Sequence, residues 1–511
     1  MIVLLLLPLL AVPIIYVFRG SKLFQTLVIS VFVAQFIVTC SLFPSGFHFP
    51  WLSVPINENE IIQINLSFSI DGLNYLLLIL TYLVLCVSVI VTPLSVAKPR
   101  AYYSLLLLLS FSLTGCFIVH DLFLFFLFFE AMLLPMFFLI GIWGGEKRRY
   151  AAIKFFVYTF SGSVFFLLAM FPMVFESVDL KATSILNSIP IDKVKNGINT
   201  TKNVTLVHSF DYSVLSETGW SEPAATLCFW AIFLAFAVKL PVVPLHTWLP
   251  LAHVEASAPV SVILAGILLK VGGYGLYRIG LGMFSDQMFA NATVLSSLAL
   301  SSIVFGALNA LAAKNIKTMI AYSSITHMGY VLLGIVSADA TALSGVVLQL
   351  FNHGIISAAL FIVAGYFYDR SGQYNMDNFG GVAKYHPKIT VFSAIAFFAG
   401  LGLPGLNAFV SEALIFAGSF RATAVNNRFS LWIVVACLAG IVLTAAYFIR
   451  SFTAVFLNES SSPNLLKNDA NPRETIALSV LCLLMLILGL WPAFALDGIK
   501  SDVAQFINTL F

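Results

Sequence analysis

Four ionisable side chains stand alone inside apolar stretches of this chain: Glu130, Lys239, Lys270 and Glu412. An ionised group at the centre of a bilayer costs about 2.5 to 3.5 kcal/mol on insertion scales, so residues placed this way point to ion or proton traffic. Glu130 lies eight residues into the run that begins at Leu122, which at about 1.5 Å of rise per residue is roughly 12 Å deep. Low-dielectric surroundings favour the neutral form of a carboxyl or an ammonium, and a nearby opposite charge restores the ionised form. A lysine that alternates between pairing with a carboxylate and separating from it can therefore take up and release a proton. The alternatives are a neutral Glu130 bonded to helix backbone, and lysines whose stems carry their heads to the interface.

Two histidines fall between the lysines and Glu412 in chain order: His327, in Tyr322-Ser-Ser-Ile-Thr-His327-Met, and His353, in Phe351-Asn-His353-Gly. Imidazole changes charge near neutrality and relays protons at little cost, the alternative being a neutral core ring bonded to a carbonyl. Moving a charge against 100 mV takes about 2.3 kcal/mol. Exposed ion pairs are worth ~0 to 1 kcal/mol, whereas breaking a buried one costs about 3 to 5 kcal/mol, so the buried kind is needed. Lys154 and Arg450 lie nearer segment ends and read as interfacial anchors. His246, His253 and Glu255 read as groups that cap or brace a helix start rather than bind metal.

The elements that hold these residues follow from composition. The 511 residues are 60% hydrophobic and 10% charged, against roughly 25% charged in a soluble domain. The chain is therefore expected to be an all-α polytopic membrane protein. Runs long enough to cross a ~30 Å hydrocarbon core occupy 2–18, 23–43, 73–97, 102–119, 122–143, 150–175, 224–245, 256–281, 289–312, 317–338, 341–368, 389–420, 429–457 and 474–496, fourteen spans in all. Loops after odd-numbered spans hold fourteen Lys and Arg against eight elsewhere, which puts both termini on the outer side. The first run, Ile2 to Phe18, lacks a basic leader and a cleavage site, and is expected to be retained as a span.

Two spans are interrupted. Pro241 and Pro244 follow Lys239, and Gly402, Pro404 and Gly405 precede Glu412; proline removes a backbone donor and clashes with the preceding turn. Irregular backbone at membrane depth is tolerated only under cover of protein or a water-filled cavity, where transporters place ion sites. Pro241 and Pro404 are thus helix-break candidates, five spans apart, which hints at two five-helix repeats, spans 4 to 8 and 9 to 13. The organisation expected is a single transmembrane domain over 1–511. It comprises helices 1 to 3 (1–100), a first repeat with a polar insert at 176–223 (101–282), a second repeat (283–457), and a loop, helix 14 and short tail (458–511). The insert reads as an extramembrane loop, and sequons such as those at Asn199 and Asn203 as chance occurrences. The six cysteines are isolated, and the net charge is +3 with dispersed basic residues. Neither a zinc or iron–sulfur ligand set nor a nucleic-acid surface is indicated.

The string Val238-Lys239-Leu-Pro241-Val-Val-Pro244-Leu-His246-Thr-Trp248-Leu-Pro250-Leu-Ala-His253-Val-Glu255, with Leu268-Leu-Lys270-Val-Gly-Gly-Tyr274 and the stretches around His327 and from Pro404 to Glu412, resembles the antiporter-like subunits of respiratory complex I. The resemblance spans roughly residues 70 to 455. It implies inverted five-helix repeats and a mid-membrane series of proton-translocating residues: Glu130, Lys239, Lys270, His327, His353 and Glu412. A glutamate at 412 is unlike the largest paralogue, which has lysine there. The resemblance further implies no cofactor or metal in this chain, with NADH, FMN, iron–sulfur clusters and ubiquinone handled by partner subunits. Partners would be other membrane-arm subunits, above all neighbouring antiporter-like ones, and lipid. The location implied is the mitochondrial inner membrane or, alternatively, a bacterial plasma membrane; an Mrp-type sodium/proton antiporter subunit is the other reading. In place of the family's usual Ala-Pro after His-Val-Glu, this chain has Ala256-Ser257-Ala258-Pro259, which is expected to move the start of the eighth helix.

Overall fold

Proline and glycine decide where the membrane helices of this protein stop. A computed structural model describes residues 1–18, 20–188, 191, 194, 204–425, 427–459 and 468–510. Arg19, Lys193, Lys195, Lys202 and Lys467, counted in the charge balance, and the sequon residues Asn199 and Asn203 lie outside the described residues. The membrane helices are α1 (Ile2–Val17), α2 (Ser21–Leu42), α3 (Gly72–Val91), α4 (Pro99–Ile118), α5 (Leu122–Trp143), α6 (Arg148–Glu176), α7 (Glu222–Lys239), α8 (Ala258–Leu281), α9 (Ala292–Ala312), α10 (Ile316–Ser337) and α11 (Ala340–Ser371). They are followed by α12 in two halves (Pro387–Gly400 and Asn407–Ala424), α13 (Leu431–Leu457) and α14 (Pro472–Leu490). Twelve of the described helices are long and apolar enough to cross a membrane, and α1 and the first half of α12 are shorter apolar helices. α8 starts at Ala258 with Pro259 in its first turn, a position where the missing donor costs nothing.

The chain is mostly helical, as expected, and one small sheet stands outside the membrane helices. Between α2 and α3 the chain forms a hairpin, β1 (Ser45–Asn57) and β2 (Glu60–Ile70), and β3 (Leu206–Ser209) from the polar insert pairs parallel with β2. Alternation of Phe47, Phe49 and Trp51 with polar or small residues is the period-two pattern of a strand, too short to register as a span. The insert also carries two short helices, Leu180–Asn187 and Tyr212–Ser216. The tail is a further helix, α15 (Ala493–Leu510), whose Asp502 accepts from the Gly72 amide at the start of α3.

The centre of the bundle is made by α8, α10 and α11. The apolar stretches of α8 and α11 are buried throughout and that of α10 nearly so, while only about a third of that of α13 is buried. A helix that is apolar all round belongs in such an interior, and it is these central helices that carry Lys270, His327 and His353.

Candidate functional site

Lys239 is the last residue of α7 because Pro241 cannot continue the hydrogen-bond ladder. The Val242 amide reaches back to the Ala237 carbonyl at 2.9 Å, and the carbonyl of Val238 is taken by the indole of Trp248 at 2.9 Å. The chain resumes as the short helix Trp248–Glu255. α8 crosses this break closely: a Cβ on Gly272 would sit 2.6 Å from the Leu240 nitrogen, so only glycine permits the approach. The Lys239 side chain is 4% exposed. Its Nζ donates to the carbonyl oxygen of Phe129 at 3.0 Å and lies 3.3 Å from the centroid of the Phe129 ring. Glu130, the next residue on α5, is partly buried beside Ser163, and its Oε1 has no hydrogen-bond partner. No carboxylate oxygen of Glu130 lies within the 4.0 Å ion-pair limit of Lys239. The two are electrostatic neighbours whose pairing is open in this structure.

Lys270 lies on α8 between two π-helical stretches, Leu264–Leu268 and Leu276–Leu281. Widened turns of this kind recur at functional sites because they disturb the regular carbonyl ladder. Fully buried, Lys270 donates through Nζ to the Ala265 carbonyl at 2.5 Å and meets Nδ1 of His353 on α11 at 2.7 Å. When Lys270 is protonated its ammonium can only donate, and Nδ1 then accepts, with the ring proton of a neutral His353 on Nε2. The snorkelling alternative is thereby removed for both lysines. The ring of His353 is 5.4 Å from that of His327 on α10, centroid to centroid. Nε2 of His327 is 3.2 Å from the Gly400 carbonyl at the end of the first half of α12, and 3.7 Å from Oε1 of Glu412. His327 is thus both carbonyl-bonded and adjacent to an acid.

Glu412 owes its position to the break in α12. Gly402 has φ +78°, and a Cβ there would lie 2.7 Å from Oε2 of Glu412, so the carboxylate packs directly over the glycine backbone. The second half of α12 is tied to α11 by buried neutral groups. Asn352 Nδ2 donates to the Asn407 carbonyl at 2.8 Å, Asn407 Nδ2 donates to Asn352 Oδ1 at 3.1 Å, and Ser411 Oγ donates to Gln349 Oε1 at 2.5 Å. Of the predicted residues, Lys270, His353, His327 and Glu412 form one contact series, while Glu130 and Lys239 form a second locus at the α7 break.

Sequence reasoning did not place several buried ionisable groups, among them Lys317 and His253 beside the central helices. Lys317, counted as a loop residue, is 0% exposed; it donates to the Ala256 carbonyl at 2.5 Å and faces the Tyr374 ring. Its place at the first turn of α10, next to polar loop residues, hid its burial. His253 is also fully buried, with neither ring nitrogen hydrogen-bonded, and stacks on Phe361 at 4.5 Å. Glu255 ties the loop between α5 and α6 rather than the start of α8: its carbonyl accepts from the Gly145 amide at 2.7 Å and its carboxylate from the Lys147 amide at 2.8 Å. Lys154 is partly buried near Tyr158, and Arg450 is exposed. Asp71 pairs with Arg278, and Arg370 grips Glu474 at 2.8 and 2.9 Å. Among the described residues no three His, Cys, Asp or Glu side chains converge as a metal site.

Paired membrane-helix breaks, each beside a buried ionisable group, define a membrane protein of the antiporter-like class. Residues 119–444 match the family model described as NADH:quinone oxidoreductase/Mrp antiporter, transmembrane. The chain is 37% identical over 465 residues to NAD(P)H-quinone oxidoreductase chain 4 2 of Thermosynechococcus vestitus, covering 90% of this chain and 80% of that one. It is also 37% identical over 451 residues to NADH-quinone oxidoreductase subunit M of Rickettsia felis, covering 87% and 84%. The fold superposes on a chain of respiratory complex I from Thermus thermophilus with bound NADH at TM-score 0.81 and 26% identity, covering 100% and 99%. A chain of the Mrp complex from Dietzia sp. shares the fold at TM-score 0.80 and 19% identity, covering 99% of both chains. The chain belongs to the NADH:quinone oxidoreductase/Mrp antiporter family, among its chain 4 or subunit M members.

Proposed function

We propose that this chain is a proton-translocating subunit in the membrane arm of respiratory complex I, driven by NADH:ubiquinone electron transfer in neighbouring subunits. The observation that carries the reading is the series Lys270, His353, His327 and Glu412, in which contacts of 2.7, 5.4 and 3.7 Å join ionisable groups through the bundle interior. Chains of titratable side chains of this kind are how membrane proteins pass protons. Glu130 and Lys239 would act as the switch: pairing holds the lysine charged, and separation, as found here, lets it give a proton up. FMN, iron–sulfur clusters, NADH and ubiquinone would be held by partner subunits, and the chain would contact other antiporter-like subunits and lipid. The membrane would be the mitochondrial inner membrane or its bacterial counterpart, the latter supported by the cyanobacterial and rickettsial relatives.

The test is Lys239→Ala in the assembled complex. Protons moved per electron should fall while assembly and quinone reduction persist; an unchanged ratio rejects the mechanism. The Mrp-type reading draws support from the Dietzia likeness in fold. It would be upheld by sodium-dependent pH gradients generated without quinone turnover.

A further inference from the structure

The ring of Phe129 lies against the Lys239 ammonium. That ring is fully buried and fixed by other aromatic rings, with Phe125 at 5.6 Å, Phe166 at 6.1 Å and Phe236 edge-on at 5.7 Å. The lysine nitrogen sits 3.3 Å from the ring centroid, with the carbonyl of the same residue at 3.0 Å. An aromatic face attracts a cation most strongly when water is excluded. Because successive helical residues are rotated by about 100°, Phe129 and Glu130 offer one flexible lysine stem two adjacent seats, one aromatic and one ionic.

We propose that Phe129 is a positioning residue, a cation–π seat that receives the Lys239 ammonium as the pair with Glu130 opens and keeps it apart from that acid until its proton passes on. This rests on the reading of Glu130 and Lys239 as the switch. Without the seat, an unpaired buried ammonium would have only a carbonyl to oppose its desolvation, and the open state would empty towards the Glu130 pair. A rigid ring already in place removes the need to organise a partner each time the pair separates.

The experiment replaces Phe129 in the assembled complex by phenylalanine carrying one, two or three ring fluorines, which withdraw charge from the ring face while nearly conserving its shape. Coupled pumping should fall stepwise with fluorine number, by roughly 5- to 30-fold in all, the factor that one cation–π contact is worth. Phe129→Leu should fall as far, and Phe129→Trp should retain most activity. If Phe129→Leu fails to assemble, the fluorinated series still decides. A flat response along that series overturns the proposal, since a ring needed only for packing would not sense its quadrupole. The outcome of Lys239→Ala separates the two failures: normal stoichiometry there rejects the switch itself, whereas lost pumping there with a flat fluorine series rejects only the aromatic seat.

Discussion

The locus at the α7 break and the series that ends at the α12 break use similar residue types in opposite ways. At the first, the ammonium of Lys239 rests on an aromatic ring and a carbonyl, and its acid is one residue away and outside ion-pair distance. At the second, Lys270 already touches His353, and His327 lies 3.7 Å from Glu412. A cation that must cross a gap to reach its partner suits a device with two states; groups already within reach of one another suit transfer in series. The difference also shows that a helix break does two jobs. In α7 it ends the helix on the lysine and frees a carbonyl for Trp248, while in α12 it brings a carbonyl and a bare glycine backbone up to His327 and Glu412.

The comparison breaks most visibly at His353. His353→Leu leaves the Lys270 nitrogen with only the Ala265 carbonyl, and a buried donor stripped of its partner should cost about 1 to 3 kcal/mol, read as a lower unfolding midpoint of the assembled complex together with lost pumping. Adding Lys270→Met should recover most of the stability, because both polar partners are then gone, and none of the pumping. A stable, pumping His353→Leu complex would show that the series is not used. Gly402→Ala is expected to cost about 1 to 2 kcal/mol, since φ +78° disfavours a side chain and the new Cβ would press on Glu412. Pumping should fall with it, and a variant with wild-type pumping would separate the glycine from the placement of Glu412. The smallest stability effect belongs to Glu130→Gln. With no ion pair formed in this state, the loss should stay under about 1 kcal/mol although pumping falls; a loss as large as that of His353→Leu would mean that the pair is closed at rest.

Much of the site was legible because local rules write it into the chain. Lys239 beside Pro241, and Glu412 after Gly402 and Pro404, announced a charge at a break, since a missing amide donor and a glycine turn act within a few residues. The burial of Lys317 and His253 was not legible, because each stands near a polar loop and is covered by residues distant in sequence, Tyr374 and the Ala256 carbonyl at Lys317 and Phe361 at His253. The hairpin of β1 and β2 escaped for another reason: its strands alternate with period two and form no apolar run of span length. The pairing of β2 with β3 joins segments too distant in sequence for any local pattern to report.

From the sequence alone came the class of protein, the succession of apolar helices, the two interruptions and the lone charges beside them, all consequences of hydrophobic length and backbone chemistry that act along the chain. Only the tertiary structure decided partnership. Lys270 meets a histidine 83 residues away, and Lys239 lies on the Phe129 ring with Glu130 beside it. Such choices are made by ångström differences in how helices pack, and no residue carries that information by itself.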